Sequence, residues 1–431
     1  MNISIIGTGY VGLVTGTCFA ELGNHIICAD NDKSKIDMLN KGGVPIYEPG
    51  LESLIKKNVA GGRLEFISDI SNAVKASDVI FICVGTPSTD DGSADLSAIE
   101  HVSREIAKHI NSYKLIVEKS TVPVETGEWV KKTINEFKKS SAEFDVASNP
   151  EFWREGSAID DFMKPDRVVI GVDNKKSEEI LKELYGPLDT KIVVTNIKGA
   201  EIIKHASNSF LATKISFINA LSNICDKTGA DINAVAEGIG LDSRINTHFL
   251  KAGVGFGGSC FPKDIKAFIY IAEKLGYPFG LLKEVDKINE LQKKNVVKKL
   301  KDLIWNLKGK VIGVWGIAFK PDTDDIRSAP AIDIIKMLLE EGVKIKAFDP
   351  VAMDRAKSEL GDKITYCKDI YEAAASSDCV IVMTEWNEFK EIDWKKVKES
   401  MHQPVIFDGR NIYNPAKLKE LGFKYCGIGR R

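Results

Sequence analysis

The sequence is poor in the features that mark disulfide-bonded, metal-bound, membrane-embedded or nucleic-acid-binding chains. Its eight cysteines, at 18, 28, 83, 225, 260, 367, 379 and 426, form no Cys-x-x-Cys pair, and several lie in apolar runs such as Phe81-Ile82-Cys83-Val84. That usage suits a reducing compartment in which most thiols are small core residues. The six histidines are scattered, and no spacing gathers ligands for a metal. No apolar run reaches the ~20 residues that cross a bilayer, so no membrane partner is expected. Met1 leads directly into a strand pattern rather than a secretory leader, and the expected location is cytoplasmic. Excess charge is also missing: 59 Lys and Arg against 61 Asp and Glu leave a net charge of −2, which argues against a nucleic-acid partner.

What is present points to a soluble α/β protein of two or three domains, given 431 residues with 44% apolar and 28% charged composition. Asn2–Ile6 is a short apolar run, followed by Gly7-Thr8-Gly9-Tyr10-Val11-Gly12 and then a helical pattern through Leu22. This is GxGxxG in the strand-then-helix context that binds a dinucleotide pyrophosphate. A second strand, His25–Ala29, ends at Asp30, which is placed to accept hydrogen bonds from an adenosine ribose and whose charge disfavours a 2′-phosphate. The expected cofactor is NAD. Three later strands end in polar, proline-bearing turns: Gly85-Thr86-Pro87, Glu118-Lys119-Ser120-Thr121-Val122-Pro123, and Asn149-Pro150-Glu151-Phe152-Trp153-Arg154-Glu155-Gly156. Strand ends are where ligands bind in parallel sheets, so these turns form a candidate rim around cofactor and a polar substrate.

From Ile197 to about Lys227 the spacing predicts one long helix, ended by Gly229. Lys204 and Asn208 lie four apart and share a face, where they could meet a reacting hydroxyl. Arg244 and Lys251 then approach the loop Gly253-Val254-Gly255-Phe256-Gly257-Gly258-Ser259-Cys260-Phe261-Pro262-Lys263-Asp264 from its N-terminal side. Its glycines permit close approach to a ligand, and helical spacing resumes at Ile265 and Phe268. Cys260 therefore falls at a helix N-terminus beside Lys263, a setting that favours thiolate and a nucleophilic role. A second long helical pattern runs from about Leu281 to Leu307, and a new α/β pattern begins at Lys310, with strands at Val311–Gly316, Val343–Phe348, Cys379–Met383 and Val405–Phe407. It lacks a full GxGxxG, so no second dinucleotide is expected. Lys320, Arg327 and Arg410 follow strands there and are candidates for a diphosphate.

A nicotinamide site with a loop cysteine suggests two successive oxidations. Hydride loss from an alcohol gives an aldehyde, thiolate addition gives a thiohemiacetal, and a second hydride loss gives a thioester that water opens to an acid. Lys204, Asn208 and Asp264 are the groups expected to position the water and stabilise oxyanions.

Taken in order, GxGYVG at 7–12, the Glu118–Pro123 and Asn149–Phe152 segments, Lys204 with Asn208, the Gly255–Asp264 loop, Phe319-Lys320-Pro321 with Asp325-Ile326-Arg327, and Asp408-Gly409-Arg410-Asn411 resemble the UDP-glucose/GDP-mannose dehydrogenase family over essentially the whole chain. The resemblance implies two Rossmann-like doubly wound domains joined by a long central helix and a small helical region. The corresponding division is 1–196 for NAD, 197–300 for the helix, dimerisation and catalytic loop, and 301–431 for the UDP-sugar. It further implies oxidation of UDP-glucose to UDP-glucuronate with two NAD+ reduced, Cys260 as nucleophile, and Lys204 and Asp264 serving the oxyanion and the water. Thr121 and Glu151 are implied near the reacting carbon, with Glu151 a possible acid or base through water. Glu151, Phe152, Lys204, Asn208, Phe249, Leu250, Lys251, Gly253, Gly257, Lys320 and Arg410 are implied to hold the sugar nucleotide. Gly7, Gly9, Tyr10, Val11, Gly12, Asp30, Lys35, Thr86, Thr121, Glu155, Lys263 and Arg327 are implied to meet the cofactor. Arg244 matches an arginine that family members send into a neighbouring subunit's site, which implies a homodimer.

Trp153 stands where a smaller aliphatic residue is expected, and could alter packing over the sugar or nucleotide. The alternatives are GDP-mannose or another nucleotide sugar as substrate, a one-step 3-hydroxyacid dehydrogenase, and a non-catalytic NAD-binding redox sensor built on Cys260.

Overall fold

The computed structural model describes residues 1–89 and 91–430. The chain forms two compact units, Met1–Ser207 with Lys266–Tyr277, and Asn208–Ile265 with Pro278–Arg431.

The first unit carries β1 (Asn2–Ile6), β2 (His25–Ala29), β3 (Leu64–Ile67), β4 (Val79–Ile82), β5 (Lys114–Glu118), β6 (Phe144–Ser148), β7 (Val168–Gly171) and β8 (Ile192–Thr195), paired in the order β3-β2-β1-β4-β5-β6-β7-β8. Neighbours are parallel except at β6 and β7, which meet antiparallel through Ser148 and Gly171. The sheet is apolar on both faces because alternate side chains leave in opposite directions. In β4, Val79 and Phe81 enter one core, with Ile3, Ile5, Leu13 and Phe19. Ile80 and Ile82 enter the other, with Ile99, Ile106 and Ile134. The chain reverses its order of strand addition between β1 and β4, so the turns after these strands and their neighbours splay apart and open a crevice at the carboxyl ends.

The second unit repeats the plan with β9 (Val311–Trp315), β10 (Lys344–Phe348), β11 (Thr365–Tyr366), β12 (Cys379–Val382), β13 (Val405–Asp408) and β14 (Lys424–Gly427). All are parallel, in the order β11-β10-β9-β12-β13-β14, with the reversal between β9 and β12. Cys379 and Ile381 face one core and Val380 and Val382 the other.

The predicted long helix spans Ile197–Thr228, 32 residues, and stops at Gly229, whose φ of +81° is the left-handed conformation of a helix-ending glycine. Phe210, Phe217 and Ile224, seven residues apart, are 66%, 54% and 56% exposed and form an apolar stripe along the second unit's part of that helix. The edge strands β3, β11 and β14 are absent from the sequence reading. They are short, and each has solvent-facing residues that break the continuous apolar signal of the central strands. Among the described residues, no helix is long and apolar enough to cross a membrane.

Candidate active site

The dinucleotide turn is set by three glycines with three different tasks. Gly7 takes φ +101° directly after β1, and a Cβ there would lie 2.8 Å from the carbonyl oxygen of Cys83. Gly12 is one turn into the helix Tyr10–Glu21, and its Cβ would lie 1.8 Å from the Gly7 carbonyl oxygen. Gly9 is the N-cap of that helix, and among the described residues a Cβ there would meet nothing within 4 Å beyond its chain neighbours. The fold itself gives no reason for glycine at this position. Close approach of a pyrophosphate to a helix N-terminus does, so these residues fit NAD.

Asp30 is 8% exposed at the end of β2. Its Oδ2 accepts from the Thr8 amide at 2.7 Å and the Thr8 hydroxyl at 2.8 Å, its Oδ1 accepts from the Asp32 amide at 2.9 Å, and Lys35 Nζ stands 3.9 Å away. Thr8 thus holds the carboxylate in place, a role hidden in the variable part of the motif. At the equivalent position of the second sheet, Asp349 follows β10 and is 1% exposed. It accepts from the amides of Ile317, Ala318, Val351 and Ala352 and from Trp386 Nε1, so its capacity is absorbed within its own turn.

Around the rim, the Thr86 hydroxyl donates to the Thr121 carbonyl at 2.9 Å, joining the turns after β4 and β5. Lys119 is buried and donates from Nζ to the Asn149 carbonyl at 3.1 Å and to its Oδ1 at 3.0 Å. Burial holds the Lys119 ammonium down at about 8. Asn149 also donates to the Val169 carbonyl at 2.8 Å, so one side chain ties β5, β6 and β7 where the strand direction changes. Glu151 follows, 6% exposed, and its carbonyl and Oε1 accept from Lys204 Nζ at 2.6 and 2.9 Å. Lys204 is 3% exposed, which rules out a solvated surface lysine. Phe152 lies beneath it, with Lys204 Nζ 5.3 Å and the Arg167 guanidinium 3.9 Å from the ring centroid. Glu155 is half-buried in the same turn. Trp153 turns into the core of the first unit, 5.6 Å from the Tyr10 ring, beside the cofactor turn.

The first turns of the long helix are fastened to the segment after Thr121. Glu201 accepts from the amides of Glu125 at 2.8 Å and Gly127 at 2.9 Å, and His205 Nε2 lies 2.8 Å from the Val122 carbonyl oxygen. Burial pushes the Glu201 carboxyl up to about 7, against the two amide hydrogen bonds that lower it. Glu118, fully buried nearby, is also raised well above the usual range, first by desolvation and then by the charge of Glu201.

In the second unit, the cysteine loop is braced by buried amides. Asn219 Oδ1 accepts from the Gly253 amide at 2.9 Å, and Gln292 Nε2 donates to the Gly253 carbonyl at 2.9 Å. Asn289 accepts from the Phe256 amide at 2.8 Å and donates to its carbonyl at 3.1 Å. Asn289 and Gln292 are three apart on the helix Gly280–Leu303 and share a face, a spacing that could have flagged them. Gly257 and Gly258 are required by contact: a Cβ at Gly257 would lie 2.3 Å from the Ser328 carbonyl oxygen, and one at Gly258 2.8 Å from the Phe319 ring. The helix Phe261–Lys274 starts directly after Cys260, whose carbonyl accepts from the Asp264 amide at 2.8 Å. Cys260 is therefore the N-cap residue, and it is half-buried, whereas Cys18, Cys28, Cys83, Cys225, Cys367 and Cys379 are buried. Asp264, 1% exposed, accepts at Oδ2 from Asn208 Nδ2 at 2.6 Å and has Lys263 Nζ 3.2 Å from Oδ1. The cation expected to act on the thiol thus also faces this carboxylate.

Arg410 is a brace: it donates to the carbonyls of Met383 at 2.6 Å, Phe319 at 3.1 Å and Gly255 at 3.5 Å, linking the strand ends to the loop. Arg327 forks onto Asp325 at 2.8 and 2.7 Å with a side chain 58% exposed, and Lys320 Nζ sits 5.6 Å from the Phe319 ring centroid. Leu250 points into the core, so only its backbone is available to a ligand, and Phe249 takes φ +63°. Lys251 is exposed, and Arg244, held by Asp242, has a side chain 86% exposed. Among the described residues, no group of three or more His, Cys, Asp or Glu could hold a metal ion.

Residues 1–189, 198–291 and 313–415 match, in order, the NAD binding, central and UDP binding domains of the UDP-glucose/GDP-mannose dehydrogenase family. The chain is 51% identical over 429 residues to the UDP-glucose 6-dehydrogenase TuaD of Bacillus subtilis, covering 100% of this chain and 93% of that protein. It is 45% identical over 437 residues to a UDP-glucose 6-dehydrogenase of Rhizobium meliloti, covering 100% of each. Among solved structures, a UDP-glucose dehydrogenase from Pyrobaculum islandicum superposes with a TM-score of 0.93 at 39% identity, covering 100% of this chain and 98% of that one.

Proposed function

Since the chain belongs to the UDP-glucose/GDP-mannose dehydrogenase family and is an NAD-dependent oxidoreductase, we propose that it converts UDP-glucose to UDP-glucuronate by two successive oxidations through Cys260. NAD, when bound, accepts one hydride in each oxidation. The C6 hydroxyl loses a proton with the first hydride, giving an aldehyde. The Cys260 thiolate adds to it, the thiohemiacetal oxyanion is held by Lys204 and Asn208, and loss of the second hydride leaves a thioester. Water then adds, the C–S bond breaks, and the thiolate returns. Asp264 orients that water, and Glu151 exchanges the proton of the reacting oxygen through water.

The observation that supports the nucleophile most directly is the position of Cys260, half-buried at a helix N-terminus on a loop braced at every glycine that precedes it. In the same reading, residues 1–196 hold NAD, 197–300 provide dimerisation and the cysteine loop, and 301–431 hold the uridine diphosphate. Lys320 and Arg327 lie there as candidate diphosphate contacts, with Arg410 shaping the turns they stand on. The apolar stripe Phe210, Phe217 and Ile224, with the outward Arg244, supports a homodimer.

The test is the NADH yield. Two NADH per UDP-glucose are expected, and Cys260→Ala should make no uronate. A single NADH per substrate, an undiminished rate in Cys260→Ser, or turnover of GDP-mannose with none of UDP-glucose would overturn the reading.

A further inference from the structure

Glu48 lies outside every motif that the function uses, yet it is 6% exposed and its carboxyl group joins two functional turns of the first unit. Oε2 accepts from the Tyr10 hydroxyl and, at 2.6 Å, from the Gly156 amide. Oε1 accepts from the Ala158 amide at 2.8 Å, the first residue of the helix Ala158–Met163. The Gly156 amide also lies 3.1 Å from the Tyr10 hydroxyl oxygen, so tyrosine, carboxyl and amide close a triangle.

Each corner of that triangle has a different attachment. Tyr10 is the residue after Gly9 and begins the helix whose N-terminus fits the pyrophosphate. Gly156, at φ +81°, ends the turn that carries Glu151 and Glu155. Tyr10 is also packed on Trp153 of the same turn at 5.6 Å. The tie is long-range, since Gly156 lies 108 positions from Glu48 and 146 from Tyr10. A buried carboxyl group that only closed a loop could be satisfied by amides alone. This one also recruits a tyrosine hydroxyl from the cofactor turn.

We infer that Glu48 is a positioning residue that makes the Gly9–Tyr10 turn and the Glu151–Glu155 turn move as one body, so that the cofactor turn and the carboxylate of Glu151 keep a fixed relation. The inference rests on the reading that Gly7–Gly12 holds NAD and that Glu151 serves the reacting oxygen. Its mechanical core is a coupling between Tyr10 and Glu48, which can be measured without the sugar.

The experiment uses full-length protein in four forms: wild type, Tyr10→Phe, Glu48→Gln, and the double variant. NAD+ affinity is measured by calorimetry without substrate, then kcat and both KM values with UDP-glucose. Tyr10→Phe removes one hydroxyl and keeps the ring on Trp153, so the fold is retained. It should raise the Kd for NAD+ roughly 3- to 10-fold, part of what a hydrogen bond to a charged group is worth. It should also lower kcat while leaving KM for UDP-glucose within about twofold of wild type. Glu48→Gln keeps one carbonyl acceptor and should fall between wild type and Tyr10→Phe. The double variant should be no worse than the worse single variant, because both changes break the same contact. The inference is overturned if the variants lose thermal stability with Kd and kcat unchanged, or if their effects on Kd multiply. Wild type that binds NAD+ without oxidising UDP-glucose would instead sink the proposed function, and the coupling in Kd would still decide for or against Glu48.

Discussion

Lys204 Nζ donates to both the main-chain oxygen and Oε1 of Glu151, at 2.6 and 2.9 Å, with both residues buried. The second carboxyl oxygen, Oε2, has no hydrogen-bond partner among the described residues. Removing one member of such a pair leaves the other charge buried and uncompensated, at a cost of about 3–5 kcal/mol. Lys204→Met should therefore lower both stability, in urea titration, and kcat, by roughly 10²–10³-fold. Glu151→Gln keeps the main-chain acceptor and an amide oxygen, and should cost less stability than Lys204→Met. Equal stability for Lys204→Met and wild type would contradict the pairing.

The glycines of the dinucleotide turn should separate fold from binding. Gly12→Ala would drive a methyl to 1.8 Å from the Gly7 carbonyl oxygen, so poor yield or a large loss of melting temperature is expected. Among the described residues, a Cβ in Gly9→Ala meets nothing within 4 Å beyond its chain neighbours, and the φ of −71° is ordinary, so its melting temperature should match wild type. Its NAD+ Kd should nevertheless rise about tenfold or more, because the methyl occupies the path of the pyrophosphate. Wild-type affinity in Gly9→Ala would show that the pyrophosphate binds elsewhere.

The thiols should react in a fixed order. Burial pushes Cys18 and Cys83 up to about 12 and Cys367 up to about 11, and Cys28 and Cys379 are raised further still. Cys260, half-buried at a helix start, should be the first residue alkylated by iodoacetamide near neutral pH, with activity lost in step. Peptide mass spectrometry should find Cys18, Cys28, Cys83 and Cys379 modified only after denaturation. Inactivation that tracks any other cysteine would count against Cys260 as nucleophile.

Glu201 should leave a mark on stability against pH. Its carboxyl is raised from 4.5 to about 7 by burial, so the folded chain holds this proton more tightly than the unfolded one. The stabilisation is complete below about 4.5 and is lost as pH rises through 7. Glu201→Gln should remove that slope. The difference in melting temperature between variant and wild type should change by several degrees across the window, in favour of the variant at the higher pH. A constant difference from pH 4.5 to 7.5 would show that Glu201 does not titrate there.

Much of this fold is legible in the sequence because central strands such as Val79–Ile82 are buried on both faces and read as unbroken apolar runs. The edges are not. Leu64–Ile67 alternates with solvent, and Thr365–Tyr366 is too short to signal anything. At the site, residues bound by local geometry could be read, as with Gly7, Gly12 and Asp30 around one turn. Those that act through distant partners could not. Glu48 and Asn219 look like ordinary polar residues until the fold brings Gly156 and Gly253 to them. Trp153 is expected from the sequence to bear on packing over the sugar or nucleotide, and its ring lies 5.6 Å from that of Tyr10, a neighbour 143 positions away that the sequence alone does not bring to it.

Apart from Asn208, which donates to Asp264, and Asn219, which accepts from the Gly253 amide, the braces of the cysteine loop named above come from chain that is synthesised after it. Asn289 and Gln292 hold its first half, the Phe319 ring and the main chain of Arg327 and Ser328 shape Gly257 and Gly258, and Arg410 reaches back to Gly255. A nascent chain that ends at residue 264 contains Cys260 but lacks these later braces. The loop takes this braced form only once the second sheet has formed, so under the proposed mechanism a truncated chain should carry Cys260 without activity.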